Sequence, residues 1–306
     1  MSLKNILFFL LLVLFNNITS AQKRTLYVDN FNEILGDYNK EKQLLTFSKQ
    51  NKFTSLILYE LHLVRKRIPI SDPKKIKILA NFISLAKKKY NIKIIATGEN
   101  SDIFINYIHK YNKTRKNNFE QFDSYNLEYE YWHKTNSAIG GYYCENYLRK
   151  NSIPCTIEGS FNYYLETISI LTLLKEEIDF PLNLETYITN FTKKQILRLK
   201  KYNLKYRISA YADDVHLSSH EINKELNTLI ECDCLKEISV IFSAETLFMG
   251  GFLKYNSLQK TENEFKEYVK KYNNINFIGF TYFKYTDLIK SVDFEKTRRT
   301  GEKPKY

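Results

Sequence analysis

Residues 122–132 read FDSYNLEYEYW. Leu127, Tyr129 and Tyr131 alternate with Asn126, Glu128, Glu130 and Trp132. A period of two belongs to an extended strand whose successive side chains point to opposite faces. One face of this strand is apolar and the other is crowded with acid. The acidic face needs a place that is neither ordinary core nor open solvent, and the elements around it supply one.

Extended and helical patterns alternate along the chain. Strands are expected at 25–30, 55–61, 92–98 and 124–132, then at 182–189, 206–212, 238–244 and 276–283. Several are continuous apolar runs rich in β-branched and aromatic residues, as in strands buried on both faces. Between them lie helices with readable starts. Asp72-Pro73 offers an N-cap followed by proline at the first helical position, with Ile76, Leu79, Ile83 and Ala86 on one face. Ser218 with Glu221, and Thr261 with Glu264, fit the capping box. Eight strands alternating with helices, without a break in composition, predict a single-domain α/β fold, the (β/α)8 barrel. An open doubly wound sheet is the alternative. No glycine-rich loop follows the first strand, and nine glycines in the chain argue against a nucleotide cradle.

The chain has 306 residues, 43% of them hydrophobic, enough for one large domain. It opens MSLKNILFFLLLVLFNNITSA, where Lys4 leads an apolar run and Thr19 and Ala21 suit a signal peptidase. Residues 1–21 therefore read as a signal peptide and 22–306 as the barrel domain of a secreted or periplasmic protein. No later stretch approaches the roughly 20 apolar residues of a membrane span. The net charge of +12 is spread along the chain without basic clusters interleaved with aromatics, which argues against nucleic acid. Of four cysteines, Cys144 and Cys155 can close a short loop as a disulfide, whereas Cys232 and Cys234 are too near each other to bond without strain. His216 and His220 have the i, i+4 spacing of a metal pair but lack the H-E-x-x-H arrangement, and Ser218 beside them suggests a solvated helix start. No metal or cofactor is called for.

In such a barrel the chemistry lies at the C-terminal ends of the strands. Those ends carry Asp29, Glu60, Glu99, Glu128, Glu130 and Trp132, followed by Tyr211, Glu245 and Asp287. The acidic face of the fourth strand then points into the barrel mouth while its apolar face packs on helices. Glu128 and Glu130 stand two apart on one inward face, so proximity raises one pKa toward that of a usable proton donor.

The run Asp123-Ser124-Tyr125-Asn126-Leu127-Glu128-Tyr129-Glu130 resembles the fourth-strand D-G-x-D-x-D-x-E motif of family 18 glycoside hydrolases, the chitinases and endo-β-N-acetylglucosaminidases. The resemblance keeps the first Asp and the last Glu, with Ser124, Asn126 and Glu128 departing from it. It implies that Glu130 protonates the glycosidic oxygen, that Glu128 orients the reacting acetamide, and that Asp123 supports Glu128 from deeper in the barrel. Tyr211 falls near the family's sixth-strand tyrosine. The substrate's own acetamide is then the nucleophile. Asn126, Glu60, Asp29 and Trp132 are candidate sugar contacts. Tyr282 or Phe283 stands where the family has a strand-eight tryptophan. The whole chain, including IFSAE at 241–245 and FMGGF at 248–252, also resembles secreted barrel proteins of Bacteroidetes-type bacteria.

Three other readings stay open. Glu130 as acid/base and Glu245 as nucleophile resemble the 4/7 superfamily of retaining glycosidases, although Tyr129 stands where that superfamily has Asn. Trp132, Tyr131, Tyr211 and Tyr282 could line a cleft that binds sugar without cleaving it. Asp29, Glu60, Glu128 and Glu130 could ring a divalent cation in a phosphodiesterase, with His62 nearby.

Overall fold

The structure is a computed structural model that describes residues 23–302, apart from 235 and 273. The leader expected at 1–21 lies outside the described residues. Eight parallel strands close into a barrel in chain order. They are Lys23–Val28 (β1), Phe53–Leu58 (β2), Lys93–Gly98 (β3) and Ser124–Leu127 (β4). The circle continues with Asn183–Ile188 (β5), Lys205–Ser209 (β6), Glu237–Ser243 (β7) and Asn276–Phe283 (β8), and β8 pairs with β1. This is a (β/α)8 barrel, with the main apolar core between strands and helices. No helix among the described residues is long and apolar enough to cross a membrane.

The helix Pro73–Tyr90 starts as expected: Asp72 accepts from the backbone N–H groups of Lys74 and Lys75, and Ile76, Leu79, Ile83 and Ala86 are buried. The two capping boxes are not formed. The helix Val215–Glu221 begins at Asp214, which accepts from Leu217 N, so Ser218 is interior. The helix Leu258–Val269 begins at Ser257, and the Thr261 hydroxyl turns back onto Ser257 O at 3.0 Å. In each case an acceptor one turn earlier captured the free N–H groups. A capping box does form at Thr192 and Gln195.

β4 is shorter than expected, ending at Leu127 rather than Trp132. Glu128 N makes the last bond to β3, at Gly98 O, after which Tyr131 N and His133 N turn back onto Tyr129 O and Glu130 O. The two-residue alternation nevertheless persists. Tyr125, Leu127, Tyr129 and Tyr131 are buried in the outer layer, with Tyr129 stacked on Tyr143 and Tyr131 packed on Tyr164.

Parity corrects two expected site residues. Asp123 has the parity of Tyr125, not of Glu128. Its carboxylate accepts from Ile94 N at 2.8 Å and pairs with Lys87 at 2.9 Å, so it ties β4 to its neighbours and does not support Glu128. Tyr282 is fully buried on the outer face of β8, donating to Glu262 at 2.9 Å and packing on Phe53. Phe283, one residue on, faces the barrel interior beside Tyr27.

Inside the barrel Arg207 of β6 is forked onto Glu185 of β5, with Nε at 2.7 Å. Ser124 donates to the other Glu185 oxygen at 2.8 Å, and Arg207 also donates to Thr281. Both charges are almost wholly buried. Removing one partner of such a pair leaves an uncompensated buried charge, whereas removing both is far milder. Arg207→Met should therefore cost about 3–5 kcal/mol in urea denaturation. The double variant Arg207→Met/Glu185→Leu should recover most of that loss, and a double variant no better than the single would assign the pair no charge-balancing role.

Candidate active site

β3, β4 and the segment after β4 bring three carboxylates to the C-terminal mouth. Glu128 continues the inward face of Ser124 and Asn126, and the Thr97 hydroxyl reaches its Oε2 at 3.3 Å. Burial, then the neighbouring Glu130 carboxylate, push the Glu128 pKa up to about 8; Glu99 adds to the rise. Glu130 is also raised, by burial and by Glu99, against the pull of His133, whose Nε2 lies 3.3 Å away. Its backbone N–H donates to the Tyr143 hydroxyl at 3.1 Å, which fixes the turn that carries it. Two interacting acids of this kind titrate as a pair and keep a proton at neutral pH.

Beneath them Asn126 is fully buried, its Nδ2 donating to Thr97 Oγ1 at 3.0 Å and to the Tyr27 hydroxyl at 3.3 Å. Its Oδ1 has no partner among the described residues. Asn126 is thus a support below the acids, with no exposed surface for sugar.

A cavity of about 260 Å³ opens beside Glu128. Its walls come from the ends of β2 and β3 and from the loop after β4, with Glu60, His62, Glu99, Tyr142 and Tyr147 among them. Glu99 Oε2 accepts from the Tyr147 hydroxyl at 2.6 Å and from Tyr142 at 3.1 Å. Burial and Glu99 together raise the Tyr147 hydroxyl pKa far above its ordinary value. Cys144 and Cys155 form a disulfide that spans this loop, while Cys232 and Cys234 are free and buried.

The remaining expected residues divide between the two sides of the mouth and its periphery. Glu60 lines the cavity. Tyr211 lies among Tyr187, Phe248 and Phe283, where burial raises its hydroxyl pKa strongly and the Tyr187, Tyr27, Glu128 and Glu130 groups add to it. Trp132 packs edge-on against Tyr187 at 5.2 Å and against Tyr131 at 5.0 Å. Neither Tyr211 nor Trp132 lines the cavity. Asp29 is corrected: its carboxylate accepts from the backbone N–H of Thr286 at 3.0 Å and from the Thr286 hydroxyl, so it fastens the start of the last helix to β1. Glu245 accepts from Ser243 at 3.1 Å and pairs with Lys284 at 3.4 Å.

His216 and His220 place their Nε2 atoms 3.3 Å apart on an exposed helix face. Among the described residues no group of three or more His, Cys, Asp or Glu is arranged to hold a metal ion.

Sequence reasoning singled out neither Tyr142 nor Tyr147, and took Glu99 for one strand-end acid among several. The available signal was the tyrosine pair directly before a cysteine expected to be tethered, in GGYYCENY at 140–147.

No protein-family model matches the chain, and no curated protein matches it. Solved structures do. A β-glycosidase, BGL167, superposes with a TM-score of 0.54 at 9% identity, covering 81% of this chain and 76% of its own. The family 1 β-glucosidase of Exiguobacterium antarcticum B7 superposes with a TM-score of 0.50 at 11% identity, covering 81% and 77%. At such identity the likeness is one of fold: this chain shares the barrel on which those glycosidases are built.

Proposed function

We propose that this protein is a glycoside hydrolase-type barrel in which the Glu128–Glu130 pair delivers a proton to a glycosidic oxygen. One observation carries the reading. Two half-buried, like-charged carboxylates share the inward face after β4, so the pair retains a proton at neutral pH, and it does so beside a tyrosine-walled cavity. Glu130 is the outer of the two, its side chain 34% exposed, and hands the proton to the leaving oxygen. Glu128 lies deeper, raises the pair's proton affinity and orients the reacting group. On the family 18 resemblance the substrate is an N-acetylglucosamine-containing glycan whose acetamide attacks in place of a second enzymic carboxylate. The same reading makes the protein exported, with a glycan as its partner and no cofactor.

A second reading has its own observation. Glu245 lies two residues past β7, ion-paired with Lys284, and in a two-carboxylate retaining mechanism it would serve as the nucleophile. Glu245→Gln separates the two: activity stays within a few-fold under substrate assistance and collapses under nucleophilic attack.

Turnover of fluorogenic chitobiosides, β-glucosides and a high-mannose N-glycan, with and without EDTA, is the direct test. Glu130→Gln should lower kcat by about 10²–10⁴-fold with folding intact. Full activity in that variant would remove the proposed acid, and EDTA-sensitive activity would favour metal-assisted chemistry.

The pair also predicts two pH effects. The activity profile should carry a step near pH 8, where the Glu128 carboxyl ionises beside the donor, and Glu128→Gln should remove that step. Stability has the opposite partner. A carboxyl whose pKa is raised on folding disfavours the folded state once it must ionise. That penalty is absent below about 4.5 and grows until pH passes about 8. Melting curves should therefore show Glu128→Gln gaining on the wild type between pH 4 and 9; a constant offset would mean that Glu128 is not held protonated by the fold.

A further inference from the structure

We infer that the cavity on the β2–β3 side of the mouth is a sugar subsite whose stacking platform is Tyr142, and that it admits neutral or ammonium-bearing sugars while rejecting anionic ones. The inference rests on the glycosidase-type reading of the same mouth and adds where the sugar lies and what charge it carries.

Three tyrosines line the cavity, Tyr59, Tyr142 and Tyr147, and they are not equivalent: Tyr59 packs edge-on against Tyr27 inside the barrel. Tyr147 is committed to packing: its ring lies on Tyr163 with centroids 5.6 Å apart and planes 12° from parallel, and Tyr129 meets it edge-on. Tyr142 is 50% exposed. Its hydroxyl is pinned 3.1 Å from both Glu99 Oε2 and the Tyr147 oxygen, which fixes the ring without covering it. The ring touches Tyr143, with centroids 5.6 Å apart, and meets Tyr147 edge-on at 5.7 Å, yet half of its surface stays exposed. A ring held at its hydroxyl with that much free surface suits the apolar face of a pyranose. Two residues later the chain enters the Cys144–Cys155 disulfide, which holds the loop before any ligand arrives. The sugar then sits next to Glu128, the member of the acidic pair that lines this cavity.

Charge sets the selectivity. The protein carries +12 overall, yet the acids Glu60 and Glu99 line the cavity beside the proton-holding Glu128, and no lysine or arginine does among the described residues. A uronate or sulfate placed there meets like charge in a partly desolvated site, an interaction that rejects as effectively as a clash.

The test compares wild type, Tyr142→Ala, Tyr142→Phe and Cys144→Ser/Cys155→Ser on oligosaccharides of equal length. One set is N-acetylated, one de-N-acetylated and one contains uronic acid, and both kinetics and calorimetry are recorded. Tyr142→Ala should raise KM or Kd about 2- to 10-fold, beyond any change in kcat. Tyr142→Phe should stay near wild type, the serine pair should shift in the direction of the alanine variant, and the uronic set should bind at least about tenfold more weakly. Hydrolysis that ignores Tyr142 overturns the subsite and leaves the acid chemistry standing. Tyr142-dependent binding without turnover supports the subsite and removes the catalysis. Tight binding of the uronic set, or no binding of any sugar, overturns the inference.

Discussion

In a parallel barrel closed from β1 round to β8, the pleat decides which side chains meet. Residues 124, 126, 128 and 130 face inward because 125, 127, 129 and 131 must face the helices. A slip of one residue would bury two acids in the helical layer and turn three tyrosines into the mouth, so register here is strongly specified. The outer tyrosines do the anchoring. Tyr129 stacks on Tyr143 at 4.2 Å, and Tyr131 packs on Phe161 and Tyr164 at 4.9 Å. The placement of the acids thus follows from where the aromatic rings can be buried, and it holds for residues 128–131 even though the ladder of β4 has already ended.

The interior handles charge in two different ways. Arg207 is the cation whose charge reaches Glu128 from within the barrel, but Glu185 and Thr281 take up its guanidinium. Its pull on Glu128 is weaker than burial and than the repulsion of Glu130. Had Arg207 been free to turn toward the mouth, the upper acids would be neutralised and the proton lost. A satisfied ion pair below is therefore a condition for an unsatisfied acid pair above.

The eight strands were legible because apolar runs and two-residue alternation are local signals, and each expected strand overlaps the one observed. The acid pair was legible for the same reason. Helix starts at 218 and 261 were misread, since Asp214 and Ser257 compete for the same N–H groups from one turn earlier. Asp123 and Tyr282 were misplaced although the alternation already sets them on the outer face, and Asp29 because a strand-end position does not say whether a distant group such as Thr286 claims it. The cavity walls were hidden altogether. Glu99 meets Tyr142 and Tyr147 across 43 and 48 residues, a separation no local pattern encodes.

Those walls change how the mouth works. Tyr187, Tyr211, Phe283 and Trp132 pack against one another on the β5, β6 and β8 side, so the aromatics that look like a sugar platform in the sequence instead fill that half of the barrel. Filling one half leaves the β2–β3 side as the open approach to Glu128, and the loop after β4 roofs it. Because the disulfide and the Glu99 hydrogen bonds hold that roof, the space beside the acids is shaped by covalent and polar constraints as much as by the barrel. Substrate choice and proton delivery then come from different parts of the chain: the pleat of β4 sets the acid, and a tethered loop sets what can reach it.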